Sequence, residues 1–224
     1  MLFDWRGTLV VAPTFRWLVE VALERLGRDT DPEEVLTQLR AVVRGREDVD
    51  SDAALHRTTF LSWLNRAGVD AELAEGIYAV ESDGRANPFA DDVGQTLWTL
   101  HEAGVLVGVL SDIHFDLRPA FAEHRHPDGS SWADRIDAWA LSYELGVAKP
   151  DPAIFASALD RLGLPAADVL MVGDRSGWDG AAVESGITTL LVSPLRAPHE
   201  ARLQRVLDLA LPFRKPSNKS SVCW

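Results

Sequence analysis

The 224-residue sequence contains one cysteine, Cys223. No disulfide framework and no zinc site built on cysteines can therefore form within one chain. Such sparse use of cysteine favours a reducing compartment, and we predict a cytoplasmic protein.

Long apolar runs and an excess of basic residues are also missing. No stretch approaches the roughly 18 to 20 uninterrupted apolar residues of a membrane helix. The N-terminus, with Asp4 and Arg6, lacks the apolar segment of a secretory signal. Lys and Arg number 22 against 34 Asp and Glu, for a net charge of −12. Nucleic acids and anionic membranes need a basic surface, so we expect a small-molecule partner instead.

The sequence does contain an alternation of short apolar runs with amphipathic segments. Four nearly continuous runs are typical of parallel strands buried on both faces, at residues 105–110, 136–141, 169–172 and 188–192. Residues 151–163 predict a helix, with Asp151 as N-cap, Pro152 at the first helical position and Gly163 as the stop. This alternation predicts an α/β fold with a doubly wound, Rossmann-type parallel sheet.

Residues 13–87 follow a different pattern, with several helical segments and no convincing strand. An all-helical block between the first and second strands predicts a cap inserted over one edge of the sheet. We therefore predict a core domain of residues 1–12 and 88–211, a helical cap of residues 13–87, and a C-terminal tail of residues 212–224.

Four short elements place polar residues directly after apolar runs. They are residues 3–9 with Asp4, Gly7 and Thr8, residues 109–112 with Ser111 and Asp112, residues 146–152 with Lys149, and residues 172–180 with Asp174 and Asp179. In a doubly wound sheet, ligands bind beyond the carboxyl ends of the strands, where these side chains would meet. Crowded carboxylates need a cation, for which Mg²⁺ is the natural choice, and the lysine and serine would hold a dianionic group.

In order and spacing, the four elements resemble the haloacid dehalogenase-like (HAD-like) hydrolase superfamily, whose members are mostly Mg²⁺-dependent phosphatases. The likeness covers nearly the whole chain and includes the inserted cap. It implies that Asp4 is a nucleophile that forms an aspartyl-phosphate and that Ser111 binds the transferring phosphoryl group. It also implies that Lys149 neutralises Asp4 and the phosphoryl oxygens.

The same resemblance implies a magnesium site. Asp174 would hold Mg²⁺ together with a carboxylate oxygen of Asp4 and the backbone carbonyl of Arg6, with Asp179 in or near the coordination sphere. The spacing of Asp174 and Asp179 is of the phosphatase type.

The resemblance also implies a phosphate-binding region at Gly7, Thr8 and Asp112, with a small phosphorylated metabolite as substrate. Asp112 stands where many relatives carry Asn, and a carboxylate there would repel a phosphate unless it is turned away or hydrogen-bonded.

One position departs from the phosphatase pattern. The general acid of those relatives is an Asp two residues after the nucleophile, and here that residue is Arg6. Arginine stays protonated at neutral pH, and loss of a general acid costs about 10²- to 10⁴-fold in rate. The substrate could be an activated phosphate that needs no acid, or His114 or Asp116 could replace the acid. Alternatively, the protein is a phosphate-binding module with impaired catalysis.

Haloacid dehalogenation is a minor alternative. The dehalogenase branch of the superfamily also lacks the second Asp. Its members do not use Mg²⁺, however, and their last motif differs from the Asp174 and Asp179 pattern found here.

Overall fold

A five-stranded parallel sheet forms the centre of the computed structural model, which describes residues 1–42 and 49–211. The strands of this part of the chain are β1 (Leu2–Phe3), β2 (Gly108–Ser111), β3 (Ala138–Leu141), β4 (Leu170–Gly173) and β5 (Thr188–Leu191). Their order across the sheet is β3-β2-β1-β4-β5, and all neighbouring pairs are parallel. The predicted doubly wound parallel sheet is confirmed.

Helices cover the sheet and form a separate group beside it. They are α1 (Phe15–Leu26), α2 (Pro32–Val42), α3 (Ala53–Arg66), α4 (Ala71–Glu81), α5 (Val93–Glu102), α6 (Arg118–Ala122), α7 (Ser142–Leu145), α8 (Pro152–Leu162) and α9 (Gln204–Ala210). Helix α8 begins and ends as predicted, because the side chain of Asp151 accepts from the backbone N–H of Ala153 and Gly163 adopts the left-handed conformation. In the described residues, no helix is both long and apolar enough to cross a membrane.

The first four helices share an apolar core of their own. Leu18 and Val19 of α1 pack with Phe60 of α3 and Ile77 of α4, in a cluster distinct from those of the sheet. Burial of these apolar faces stabilises the helices against one another. The helical block predicted between the first two strands is therefore present. The domain limits at residues 13 and 87 stay a prediction, and the tail of residues 212–224 lies outside the described residues.

The central strand β1 brings the candidate residues to one edge. Phe3 is in register with Val109 of β2 and with Val172 of β4. Because the three strands run in parallel, the residues that follow them emerge at the same carboxyl edge. Leu2 and Phe3 point to opposite faces and pack into different apolar clusters, so two buried residues anchor β1 on both sides.

Candidate active site

A buried lysine lies between two buried aspartates at this edge of the sheet. Lys149 Nζ donates to Asp4 Oδ1 at 2.7 Å and to Asp179 Oδ1 at 2.6 Å. All three side chains are at most 8% exposed. Short charge-assisted hydrogen bonds between buried groups hold both carboxylates in fixed orientations.

Asp179 is fixed through both of its oxygens. While Oδ1 accepts from Lys149, Oδ2 accepts from the backbone N–H groups of Asp174 at 3.0 Å and of Arg175 at 2.9 Å. The Asp179 side chain lies so close to the backbone of residue 173 that only glycine fits there, since a Cβ would lie 2.2 Å from the carboxyl carbon of Asp179. Asp179 therefore shapes the loop after β4 and orients Lys149.

The third carboxylate, Asp174, is under-satisfied. Its Oδ1 is buried and has no hydrogen-bond partner among the described residues. Its Oδ2 would lie 2.5 Å from a Cβ at Gly7, whose φ of +86° also requires glycine. Oxygens of Asp4, Asp174 and Asp179 lie within 4.8 Å of one another. An orphaned carboxylate oxygen in such a group fits a bound cation, and oxygen-only donors suit Mg²⁺.

The charges of this cluster disfavour full ionisation. Burial raises the pKa of Asp4 to about 7, with Asp179 adding to the rise and Lys149 opposing it. Burial also raises the pKa of Asp174 above its usual value, with the charge of Asp179 as the next cause. Burial disfavours the charged form of Lys149, but the carboxylates of Asp4 and Asp179 raise the pKa of its ammonium above the usual range. One lysine does not neutralise three carboxylates, so an added cation would relieve the repulsion.

A cavity of about 500 Å³ opens over Asp4 between the sheet edge and the helices α1, α3 and α4. Ser111, Asp112 and Lys149 line it from the sheet side. From the helical side it is lined by Phe15, Leu18, His56, Trp63 and Glu81. A cavity of this size can hold a small molecule, with polar groups on the sheet side and several apolar side chains on the helical side.

Comparisons with known proteins identify this arrangement. The family profile described as haloacid dehalogenase-like hydrolase matches residues 1–186. The chain belongs to this family. The resemblance recognised in the four sequence elements is therefore confirmed.

Individual HAD-like relatives include dehalogenases and phosphatases. The (S)-2-haloacid dehalogenase 4A of Burkholderia cepacia is 32% identical over 135 residues, which are 59% of this chain and 52% of that protein. The chain thus spans about half the length of this curated relative. The crystal structure of 2-haloacid dehalogenase from Pseudomonas syringae pv. Tomato DC3000 is similar at 24% identity, with a TM-score of 0.59, and covers 85% of this chain and 84% of that one.

A phosphatase structure is comparably similar. The HAD phosphatase from Thermococcus onnurineus shares 20% identity and a TM-score of 0.56, over 86% of this chain and 85% of that one. At these identities the likeness of solved structures shows the fold alone. The choice between the two chemistries therefore rests on the residues of this chain.

Two residues predicted to bind substrate, Gly7 and Thr8, lie beside the carboxylates of this site. Thr8 is fully buried, and its hydroxyl donates to Asp4 Oδ2 at 3.3 Å. Gly7 lies against Asp174. Neither is among the described residues that line the cavity, and each lies against a carboxylate of the cluster. The substrate-binding role of Gly7 and Thr8 stays a prediction.

Asp112 does line the cavity, and its charge is partly engaged. Its Oδ1 accepts from the backbone N–H of Lys149 at 2.8 Å. This hydrogen bond ties the loop after β2 to the loop that carries the lysine. Ser111, one residue earlier, is buried at the cavity wall beside the lysine and aspartate.

Arg6 is turned toward the helical side. Its Nη1 donates to Glu81 Oε1 at 2.8 Å, its Nη2 to the Glu81 carbonyl at 2.9 Å, and its Nε to Asn87 Oδ1 at 3.1 Å. The Glu81 side chain is only 3% exposed. Arg6 therefore neutralises a buried carboxylate at the end of α4 and fastens that helix to the loop after β1.

The two candidate replacement acids do not face the cavity. Asp116 pairs with Arg118 at 2.9 Å. His114 has a fully buried side chain, with Nε2 3.1 Å from Ser82 Oγ. Neither is among the described lining residues. Sequence reasoning missed His56, which does line the cavity, since an isolated histidine in a helical segment carries no local signal.

Proposed function

We propose that the chain is a Mg²⁺-dependent phosphatase that hydrolyses a small phosphorylated metabolite through an aspartyl-phosphate on Asp4. The observation that carries the proposal is Asp174, whose buried Oδ1 has no partner in the part of the chain that the structure describes and which lies beside Asp4 and Asp179. A haloacid brings a single negative charge to the site, whereas a phosphoryl group brings nearly two. A site for a dianion needs more positive charge than one lysine provides.

Asp4 and Asp174 are the residues that would hold Mg²⁺, together with the backbone carbonyl of Arg6. The ion would supply positive charge to the phosphoryl oxygens and to the carboxylates. Asp179 is placed to orient Lys149, since both of its oxygens are already hydrogen-bonded.

The reaction proposed for these residues has two displacement steps. A carboxylate oxygen of Asp4 attacks phosphorus, the bond to the leaving oxygen breaks, and an aspartyl-phosphate forms. Lys149 and the Ser111 hydroxyl orient the phosphoryl oxygens and stabilise their charge. Water then attacks phosphorus, and inorganic phosphate leaves with regeneration of the Asp4 carboxylate.

The nature of the leaving group limits which phosphates this site would hydrolyse. Arg6 donates to Glu81 and Asn87 and stays protonated at neutral pH, so it releases no proton to an alkoxide. The proposed substrates are therefore phosphates with acidic leaving groups, such as acyl phosphates. We expect wild-type kcat/KM for acetyl phosphate to exceed that for a simple alkyl phosphate by about 10²-fold or more, since the acid normally contributes 10²–10⁴-fold. Equal kcat/KM values for acetyl phosphate and the alkyl phosphate would indicate that another group in the cavity donates the proton.

Haloacid dehalogenation is a second candidate, favoured by one observation. A leaving halide needs no proton, so the presence of Arg6 in place of an acid would not lower the rate of that reaction. A relative that shares 32% identity over 135 residues is named a haloacid dehalogenase. Chloride release from (S)-2-chloropropionate without added metal would support this candidate.

The deciding experiment compares the two chemistries in one protein sample. Metal-free protein is assayed for phosphate release from a panel of acyl, enol and alkyl phosphates, with and without Mg²⁺, and for chloride release from (S)-2-chloropropionate. We expect Mg²⁺-dependent phosphate release that Asp174→Asn reduces by at least about 10²-fold. Metal-independent chloride release would overturn the proposal, and phosphate binding without turnover would identify a binding module.

Magnesium affinity should depend on pH. Asp4, with a pKa of about 7 in the metal-free protein, must lose its proton when the ion binds. We therefore expect the Mg²⁺ affinity to rise by up to about tenfold per pH unit below pH 7 and to level off above it. Calorimetry at several pH values, in buffers of different ionisation enthalpy, measures both affinity and released protons. A pH-independent affinity would show that Asp4 is already ionised at low pH.

A further inference from the structure

Arg175 lines the substrate cavity but has no part in the proposed reaction. It lies on the loop after β4, directly after Asp174, and shares the cavity wall with Lys149 and Arg6. Those two cations are engaged, since Lys149 donates to the carboxylates of the cluster and Arg6 to the end of α4. By contrast, the guanidinium N–H groups of Arg175 have no hydrogen-bond or ion-pair partner within residues 1–42 and 49–211. Of the three basic residues, Arg175 therefore has donors left for a ligand.

Contact with Trp178 fixes where this guanidinium lies. The central carbon of the Arg175 guanidinium is 3.7 Å from the centroid of the Trp178 ring, a close cation–π contact. Trp178 is half-buried and also lines the cavity, so it holds the cation at the cavity wall. The ring attracts the positive charge but leaves the N–H donors, which lie in the plane of the guanidinium, for hydrogen bonds. Arg175 is thus held beside the cavity with its hydrogen-bonding capacity unused.

The carboxylate that precedes Arg175 in the sequence does not use these donors. Asp174 Oδ1 is buried and accepts no hydrogen bond from any residue that the structure describes. Burial and the charge of Asp179 raise the pKa of Asp174, and Arg175 opposes that rise through its charge alone, without a hydrogen bond between the two side chains. A role as the counter-ion of Asp174 therefore does not explain why Arg175 lies against Trp178.

We propose that Arg175, held by Trp178, binds a carboxylate of the substrate, so that the metabolite hydrolysed at Asp4 carries a second anionic group. This inference rests on the proposed phosphatase function. The two oxygens of a carboxylate match the paired N–H donors of a guanidinium. One guanidinium offsets one negative charge, and several carboxylates of the protein already line the cavity. A carboxylate therefore fits this position better than a second, dianionic phosphate.

Apolar side chains on the opposite wall indicate what joins the two anionic groups. Phe15 and Leu18 of α1 and Trp63 of α3 line the cavity from the helical side. A short aliphatic segment would bury apolar surface against them while its two ends reach Asp4 and Arg175. Together with the need for an acidic leaving group, this predicts an acyl phosphate whose chain ends in a carboxylate.

The first test measures binding without turnover, by means of phosphonates, whose C–P bond the proposed reaction does not break. 4-Phosphonobutyrate and butylphosphonate have chains of equal length and differ in whether the chain ends in a carboxylate or a methyl group. By calorimetry with saturating Mg²⁺, we expect the wild type to bind 4-phosphonobutyrate at least about tenfold more tightly. Arg175→Gln should abolish this preference. Arg205→Gln is the matched control, because it removes the charge of an exposed arginine that is not among the described lining residues, and it should keep the preference.

Variants of Trp178 test whether the ring positions the guanidinium. Trp178→Leu removes the aromatic face and should reduce the preference for 4-phosphonobutyrate severalfold. Trp178→Phe keeps an aromatic face and should retain most of the preference. An unchanged preference in Trp178→Leu would contradict the role of the stack.

Steady-state kinetics provide the second measurement, with glutaryl phosphate and pentanoyl phosphate as the matched pair of substrates. Arg175→Gln should raise KM for glutaryl phosphate at least about tenfold and leave its kcat within about twofold, because the carboxylate lies away from the reacting phosphorus. Both constants for pentanoyl phosphate should stay nearly unchanged. A fall in kcat on both substrates would show that Arg175 acts on the phosphoryl group instead, and would overturn the carboxylate site.

The binding results separate failure of this site from failure of the phosphatase proposal. Equal affinity of the wild type for the two phosphonates, or an equal loss for both in Arg175→Gln, would overturn the carboxylate site and leave the phosphatase proposal intact. Failure of both phosphonates to bind in the presence of Mg²⁺ would overturn the phosphatase proposal and the carboxylate site with it.

Discussion

Asp4→Asn is expected to abolish turnover and at the same time to stabilise the metal-free protein above pH 7. Asparagine cannot form the proposed covalent intermediate, so we expect kcat to fall by at least about 10³-fold. The expected increase in stability follows from the raised pKa of Asp4, which is about 7 against 3.8 for the unperturbed group.

The sign of the stability effect follows from proton linkage. Between about pH 4 and 7 the native protein holds a proton on Asp4 that the unfolded chain has lost. The free energy of unfolding of the wild type therefore decreases as pH rises through this range, and the part of its stability that depends on this proton is gone above pH 7. A shift of this size corresponds to at most about 4 kcal/mol. Loss of the hydrogen bond from Lys149 offsets part of it, so we expect a net gain of about 1–3 kcal/mol at pH 8.

Urea unfolding at pH 5 and pH 8, with and without Mg²⁺, measures this effect. The gain for Asp4→Asn should disappear at pH 5 and should be smaller when Mg²⁺ stabilises the wild type. Asp179→Asn is the matched control, a buried aspartate that accepts from Lys149 and from two backbone N–H groups. Its substitution should destabilise the protein at both pH values. A loss of stability for Asp4→Asn at pH 8 would contradict the raised pKa.

The sequence predicted the residues of the site wherever strand ends determine their position. Asp4, Ser111 and Asp174 each follow a buried parallel strand, and parallel register alone brings such residues to one edge. The resemblance implied that Lys149 neutralises Asp4, and the structure shows that contact, whereas the second partner of Lys149, Asp179, was found only in the structure. These predictions depend on local patterns that a single sequence displays.

Contacts between distant segments could not be predicted in this way. Arg6 and Glu81 are 75 residues apart, and nothing near either residue indicates the other. The same holds for His56 and His114, which meet only because α3 packs beside the loop after β2. The contacts of Thr8 with Asp4 and of Gly7 with Asp174 were likewise not predicted, because they follow from the turn after β1. Side-chain direction in tight loops depends on backbone angles that residue types do not specify.

Arg6→Asp is expected to destabilise the protein strongly and, when combined with Glu81→Gln, to extend its substrate range. Arg6 neutralises Glu81, whose side chain is 3% exposed. A second carboxylate in place of the guanidinium would leave Glu81 buried, unpaired and repelled, at a cost of about 3–5 kcal/mol. Glu81→Gln removes that charge, so the double variant should recover most of the lost stability.

The double variant should also gain the missing general acid. With Asp at position 6, alkyl phosphates should be hydrolysed about 10²- to 10⁴-fold faster than by the wild type, whereas acyl phosphates should change little. Arg6→Ala/Glu81→Gln is the control, because it removes the same ion pair without adding an acid. Equal rates for the two double variants on alkyl phosphates would show that position 6 supplies no proton here.

A gain confined to the Asp variant would mean that Arg6 limits the chemistry through the proton it cannot release. The wild-type Arg6–Glu81 pair would then attach α4 firmly to the loop after β1, and the rate on substrates with poor leaving groups would be lower as a result. A gain shared with the Ala variant would instead indicate that the ion pair restricts access to the cavity, since loosening α4 is the change that the two variants have in common. Steady-state rates across phosphates of graded leaving-group pKa distinguish these cases, because only an acid at position 6 flattens the dependence of rate on that pKa.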